Sequence, residues 1–317
     1  MAARSIPPKR VRKQREEALL WPPLKIGQRG AAGEAPENTL ASFELALREG
    51  AEGVALDVHL SSDGVPVVIC DARLSRTTPA RGRVREKQAN TLIQLDAGSW
   101  FNHRFPSRAK RQYARESIPL LFEVLHWVRE QKCMALIAIT RPTPEAEAKV
   151  LKEIDRARVR HLTRVIAQNL PGLRRLRKLD PKINLGLHVS SRPPALNKAK
   201  ALGAEILLPR WTVVSSSFIH RAHQASMLVI PWTVDSPGQM RRTLLLGVDG
   251  IITNYPARLT ETVARLQKAL RAERTQRISS RGLGKAELAP PLQERGLLRN
   301  VVQAPPPIRP STIKEML

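Results

Sequence analysis

From Leu24 to Tyr255 short apolar runs alternate with amphipathic stretches. Eight of the runs read as strands: LKIGQ (24–28), GVALDVHL (53–60), ALIAIT (135–140), RVIAQN (164–169), NLGLHV (184–189), EILLPR (205–210), LVIPWTV (228–234) and GIITNY (250–255). Each is followed by a segment with helical periodicity, such as NTLASFELALREG (38–50) and PEAEAKVLKEIDRARV (144–159). Continuous apolar runs bounded by amphipathic segments are the pattern of buried parallel strands with covering helices. Eight such pairs in about 250 residues predict an α/β fold of the (β/α)8, or TIM-barrel, type. The helix boundaries have local causes. Asn38 is a favoured N-cap residue, Ser236-Pro237 places a capping hydroxyl before a proline, and Gly50 and Gly247 stand where helices should end.

Residues 65–119 break the alternation. They hold an extra strand, VPVVIC, then DAGSWFNHRF and the basic run RAKRQYAR. A segment this long inside a compact domain carries structure of its own or a function. The domain plan is therefore a basic, proline-bounded arm at 1–22, a barrel at 23–274 with an insertion at about 72–117 after the second strand, and an irregular Pro-rich basic tail at 275–317. Within that tail, LLRNVV reads as a short docking segment.

An apolar content of 42% in 317 residues is enough for one large core. No run of eighteen apolar residues exists, so no membrane span is expected. The first twenty residues lack an apolar stretch and contain Glu16 and Glu17, unlike a secretory or mitochondrial leader. With two widely separated cysteines, Cys70 and Cys133, the expectation is a cytoplasmic chain with reduced thiols, the mitochondrial matrix being the alternative.

Charge changes the picture most. The chain has 53 basic and 28 acidic residues, a net +25, of which the two tails carry less than half. Such a field attracts nucleic acid, anionic head groups or phosphorylated ligands without choosing among them, and an arginine-rich composition can equally reflect a biased proteome. Aromatic residues make up 4% of the chain, and no interleaved stacking platform is visible in the sequence.

The candidate chemistry lies between Ile26 and Thr78. Arg29-Gly30, Pro36-Glu37-Asn38-Thr39, Asp57, Asp63-Gly64, Asp71 and Arg76-Thr77-Thr78 occur there in order. Further on, VIPWTVDSPGQMRRTLLLGVDGIITNYP (229–256) follows. Together these blocks resemble the glycerophosphodiester phosphodiesterase (GDPD) family, over about residues 24–270. That family begins with His-Arg-Gly, Glu-Asn-Thr, a Glu-x-Asp pair and Asp-Gly-x-x-Val-x-x-His-Asp. It ends with Trp-Thr-Val-Asn and Gly-Val-Asp-Gly-Ile-Ile-Thr-Asp-x-Pro. The resemblance implies a TIM barrel and metal-dependent hydrolysis of glycerophosphodiesters to an alcohol and glycerol 3-phosphate. Two histidines would serve as acid and base, and Mg or Ca would be held by three carboxylates.

The chain departs from that pattern at the chemically demanding positions. The family's histidines fall on Gln28 and Cys70, and two metal carboxylates fall on Ala55 and Ala138. A phosphate-binding lysine falls on Thr140. An amide cannot titrate, and a thiol is a poor proton shuttle for an alkoxide. Asp57 alone is too little for a divalent cation, so no metal cofactor is expected. Gln28, Arg29, Asp57, Cys70 and Trp232 remain as ligand-binding candidates. For Arg29 the readings are a bidentate grip on phosphate or a salt bridge to Glu37 or Asp57; for Trp232 they are a ligand wall or core packing. His103 reads as solvated.

Three functions follow as expectations. The first is a catalytically impaired or inactive family member kept for binding a phosphorylated small molecule or for interaction. The second is an active phosphodiesterase or lyase rebuilt around Arg29, Asp57, His59 and Cys70, since Ala55, Asp57 and His59 share a strand face. The third is a basic scaffold bound to RNA, a ribonucleoprotein or another acidic partner.

Overall fold

The computed structural model describes residues 22–190 and 196–280. Nine strands occur in chain order: β1 (Leu24–Gln28), β2 (Gly53–Leu60), β3 (Pro66–Val68), β4 (Met134–Ile139), β5 (Thr163–Ala167), β6 (Leu185–Val189), β7 (Ala204–Pro209), β8 (Leu228–Val229) and β9 (Gly250–Thr253). All but β3 run parallel, in the order β8-β7-β6-β5-β4-β2-β1-β9. Backbone hydrogen bonds join the two ends: Asp249 to Val229 (3.0 Å), Ile252 to Pro231 (2.9 Å) and Val234 to Ile252 (3.0 Å). The result is a (β/α)8 barrel, and all eight of the expected barrel strands are present. The apolar VPVVIC run forms β3, which pairs antiparallel with β2.

Eight helices cover the barrel: α1 (Leu40–Arg48), α2 (Leu121–Gln131), α3 (Pro144–Ala157), α4 (Leu170–Leu179), α5 (Leu196–Ala201), α6 (Ser216–Gln224), α7 (Pro237–Leu245) and α8 (Pro256–Ser280). Strand alternation separates two cores. Ile26, Leu136, Ile166, Ile206, Leu208, Ile230 and Ile252 point inward and fill the barrel. Their strand neighbours, such as Val54, Ile137, Val165 and Leu207, point outward and pack under the helices. Each of the inward residues is nearly or fully buried, and truncation of such a side chain to alanine costs about 2–5 kcal/mol.

Two boundary expectations are corrected. The N-cap of α1 is Thr39, whose hydroxyl accepts from Ser42 N at 3.3 Å, rather than Asn38. Asn38 adopts a left-handed conformation (φ 58°), and its side chain is spent on Asp57 instead. The last helix runs to Ser280, past the break expected after Arg274, because the first Gly lies only at Gly282. Ser236 caps α7 as expected, and Gly50 and Gly247 take positive φ after α1 and α7. The 1–22 arm falls outside the described residues except for Pro22, as does the tail from residue 281, including LLRNVV.

The insertion folds as short helical turns, among them Ala89–Leu92 and Ser99–Arg104. It has its own small core of Val67, Ile69, Leu74, Val84, Leu92, Ala97 and Ile118. A second cluster fastens it over the first barrel loop, where Phe101 and Tyr113 pack on Ala35 and Ala41. Among the described residues no helix is long and apolar enough to cross a membrane.

Candidate functional site

The C-terminal end of β1 leads into a left-handed pair, Arg29 (φ 51°) and Gly30 (φ 85°). A Cβ at Gly30 would lie 2.4 Å from Ser42 Oγ, so this position admits only glycine. The strain at Arg29, on the order of 1–2 kcal/mol for a non-glycine residue, is offset by hydrogen bonds on both sides of its peptide. Arg29 N donates to Ala55 O (2.7 Å), while Arg29 O accepts from Asn38 N (3.0 Å) and Ser42 Oγ (3.1 Å). The turn aims the guanidinium across the barrel mouth.

There it meets a chain of opposite charges. Arg29 Nε donates to Asp57 Oδ2 (2.7 Å) and Nη1 to Glu37 Oε1 (3.1 Å). Glu37 also receives both terminal nitrogens of Arg76 at 2.6 and 2.8 Å. Arg76 Nε in turn donates to Asp71 Oδ2 at 2.5 Å. Asn38 Nδ2 adds a second donor to Asp57 Oδ2 at 3.2 Å. Burial alone would lower the Arg29 pKa, but the carboxylates of Asp57 and Glu37 outweigh it and hold it above the ordinary value. The hydrogen bond from Arg76 holds Asp71 below the usual carboxylate range.

Of the sequence candidates, Gln28, Arg29, Asp57 and Cys70 thus sit on adjoining elements, β1, β2 and the turn after β3. Arg29 makes both of the salt bridges weighed for it. Gln28 follows Ile26 on the inward face, and no side-chain partner occupies its amide among the described residues. Burial beside Asp57 pushes the Cys70 thiol well above its ordinary pKa, so a thiolate is disfavoured. His59 is buried and its Nε2–H donates to Cys70 O at 3.0 Å; burial lowers its pKa. That bond commits His59 to the backbone rather than to the mouth. His103 is exposed.

Trp232 belongs to the barrel interior, packed beside the inward cluster. Its indole N–H donates to Leu208 O (2.8 Å), and its ring stacks on His188 with centroids 4.4 Å apart. His188 was not singled out by the sequence; only its place two residues after Gly186 on one face of β6 could have pointed to it.

The family's cation finds few donors here. Ala55 lies against the barrel interior, and Ala138 is the register partner of Asp57 across the β2–β4 ladder. No group of three His, Cys, Asp or Glu side chains able to hold a metal occurs among the described residues. Asp57, the remaining carboxylate, already carries Arg29 and Asn38 on one oxygen. With one carboxylate left at the family's ligand positions and that one engaged, the side chains present fit a divalent cation poorly, since its oxygen ligands come from carboxylates, carbonyls and water.

The sequence reading missed how the insertion completes the mouth. A cleft of about 830 Å³ opens beside Arg29 and Glu37 and is walled by Arg76, Trp100, Arg104 and Tyr255. Phe105 and Arg108 also line it, and Arg108 is latched to Gly33 O at 2.6 Å. Trp100 and Arg108 were legible only as members of DAGSWFNHRF and RAKRQYAR, with nothing to bring them to the first loop.

Comparison with known proteins agrees with this architecture. The sequence profile of the glycerophosphoryl diester phosphodiesterase family matches residues 29–258. A glycerophosphodiester phosphodiesterase of Caldanaerobacter subterraneus subsp. tengcongensis is 32% identical over 244 residues, covering 76% of this chain and 97% of the relative. One from Bacillus subtilis is 30% identical over 248 residues, covering 74% and 84%. Among solved structures, an Oleispira antarctica phosphodiesterase in complex with the product sn-glycerol-3-phosphate superimposes with a TM-score of 0.69 at 28% identity, covering 78% of this chain and 99% of that one. A glycerophosphodiester phosphodiesterase from Agrobacterium tumefaciens gives 0.61 at 26%, covering 74% and 97%. With the barrel, the Arg29–Asp57 mouth and the profile match in agreement, this chain belongs to the glycerophosphoryl diester phosphodiesterase family.

Proposed function

We propose that this family member binds a phosphorylated small molecule at its barrel mouth and does not carry out the family's metal-dependent hydrolysis. The observation that carries the reading is the state of Asp57. It is bound by Arg29 and Asn38, faces Ala138 in register and has Ala55 two residues before it on its own strand. Gln28 and Cys70 replace the two titrating groups, and neither can both give and take a proton near neutral pH. Loss of one general acid–base group costs about 10²–10⁴ in rate, so loss of both together with the cation leaves little of the family reaction.

Binding needs less. Arg29 and Arg76 are held in place by carboxylates, Arg104 stands exposed at the cleft wall, and the Gln28 amide adds a neutral donor. A phosphate placed there meets guanidinium donors already oriented for it.

The purified protein is expected to release no alcohol from glycerophosphocholine or a generic phosphodiester with Mg²⁺, Ca²⁺ or Mn²⁺. Glycerol 3-phosphate should raise its melting temperature, and Arg29→Ala should abolish that rise. Metal-dependent turnover lost in Asp57→Ala would overturn the inactive reading. Absence of any thermal shift with glycerol 3-phosphate would overturn the binding reading.

A further inference from the structure

Residues 72–117 hold eleven Lys or Arg and three Asp or Glu, a net +8 within a chain of net +25. Three of those basic groups are tied in ion pairs: Arg76 to Glu37 and Asp71, Arg108 to Glu34, and Arg83 to Glu86. Arg73, Arg81, Arg85, Arg104, Arg111 and Arg115 are exposed and have no ion-pair partner among the described residues. Surface charge left this concentrated and unpaired repels itself, so it is stabilised by a polyanion.

The shape is as informative as the charge. The insertion has an arginine-lined cleft on each flank. The larger, described above, lies against the loops after β1 and β9. The smaller, about 360 Å³, lies against the loops after β2 and β4 and is lined by Arg83, Arg85, Arg141, Ser62 and Thr143, with Glu145 also in its wall. Both therefore open at the C-terminal end of the barrel with the insertion between them. Arg85 and Arg141 have no ion-pair partner among the described residues.

The larger cleft also assembles the stacking platform that the sequence did not display. Arg76 lies 6.0 Å from the Trp100 ring centroid, and Arg108 lies 5.7 Å from that of Phe105 and 5.8 Å from that of Tyr255. Arg258 already lies over the Tyr255 ring at 3.8 Å, so Trp100 and Phe105 are the rings that offer faces for bases, with guanidinium groups beside them for the phosphates.

We propose that the insertion is a docking site for single-stranded nucleic acid, whose phosphates enter the two arginine-lined clefts and whose bases stack in the larger one. The larger cleft is the one proposed above to hold a phosphorylated small molecule, so the two ligands would compete there, but the proposal does not depend on whether the mouth turns over a diester. A duplex is disfavoured because the longest helix of the insertion has six residues, leaving no recognition helix to enter a major groove. A bilayer is disfavoured because the single exposed large apolar side chain among the described residues, Leu179, lies on α4 and not on the insertion.

The test uses the full-length protein and a fluorescein-labelled oligouridine, with affinity measured by anisotropy over a series of salt concentrations. Replacing Arg83, Arg85 and Arg141 together by Ala should weaken binding at least about tenfold. It should also reduce the slope of log affinity on log salt by about two, three phosphate contacts at roughly 0.7 each on a single strand. Trp100→Ala should weaken binding by about tenfold with the slope unchanged, as loss of one stacking face does. A control triple on the outer helices, Arg221→Ala, Arg241→Ala and Arg242→Ala, should leave the slope as it was. Thermal melts of each variant report whether the fold is kept. The proposal is overturned if both triples lower the affinity and slope equally, or if no oligouridine binds at physiological ionic strength. It is also overturned if the protein pelleted on phosphatidylserine vesicles is not released by the oligonucleotide.

Discussion

The β8–β9 seam and the β1–β2–β4 rim lie at the same end of one barrel, yet they have departed from the family's pattern in opposite ways. At the seam, Asp235 accepts from Thr253 Oγ1 (3.1 Å), Asn254 N (2.9 Å) and Asn254 Nδ2 (2.8 Å). The pattern that the chain resembles has asparagine at the first of these positions and aspartate at the second; here the two have changed places and are hydrogen-bonded to each other. At the rim, Ala55 and Ala138 stand where the resembled pattern has carboxylates, and no group of three His, Cys, Asp or Glu able to hold a metal occurs among the described residues. The difference has a physical cause. Thr253 is fully buried and its hydroxyl needs an acceptor, which Asp235 supplies, so the seam residues have a structural task apart from catalysis. Metal ligands answer to the metal alone. On the proposed inactive reading each can shrink to alanine, and burying a methyl group costs nothing where burying an unpaired carboxylate would.

The strongest break of this comparison would come at the seam. Asn254→Asp sets one carboxylate against another and is expected to cost about 3 kcal/mol. Asp235→Asn loses one acceptor and should cost about 1 kcal/mol. The double exchange should restore stability to within about 0.5 kcal/mol of the parent, the coupling expected of residues in contact. Urea unfolding of the four proteins decides it, and simple additivity would show that the exchange is not compensatory.

At the rim, Arg29→Ala leaves Asp57 and Glu37 partly buried without their shared cation and should cost about 2 kcal/mol. Asp57→Ala should cost a similar amount through Arg29, while leaving the response to Mg²⁺ or Ca²⁺ unchanged. A metal-induced rise in melting temperature that Asp57→Ala removes would place a ligand role back at the rim.

The smallest effect concerns pH. Asp71 is held below its ordinary 3.8 by the Arg76 hydrogen bond, so its contribution is fully present above that pH and is lost as pH falls through the lower, folded value. Because this carboxylate is 35% exposed, the contribution is discounted to roughly 0.5 kcal/mol. The stability gap between the parent and Asp71→Asn, followed by urea midpoints, should hold near neutrality and close in acid.

Much of the fold was legible because strand burial writes itself as apolar runs. LKIGQ, GVALDVHL and the six runs that follow are strands, in order, and Ser236-Pro237 starts a helix for the reason its residues suggest. Asn38 shows where local reasoning stops. As a cap it was a sound choice, but a carboxylate 19 positions away on the next strand claims its amide. The break expected after Arg274 failed for a simpler reason: RTQRISS has polar residues but no helix breaker.

For the site, the sequence alone determined which groups are available, because side-chain identity sets what can titrate and what can hold a cation. Gln28, Ala55, Cys70, Ala138 and Thr140 carry that information wherever the chain places them. Only the tertiary structure decided how the remaining groups are used. It spends Arg29 on Asp57 and Glu37, turns His59 toward the Cys70 carbonyl, and brings Trp100, Phe105 and Tyr255 to one cleft from positions as far as 155 residues apart. Partnership in a charge network or a stacking platform is a matter of distance in space, and a barrel closes its first strand against its last.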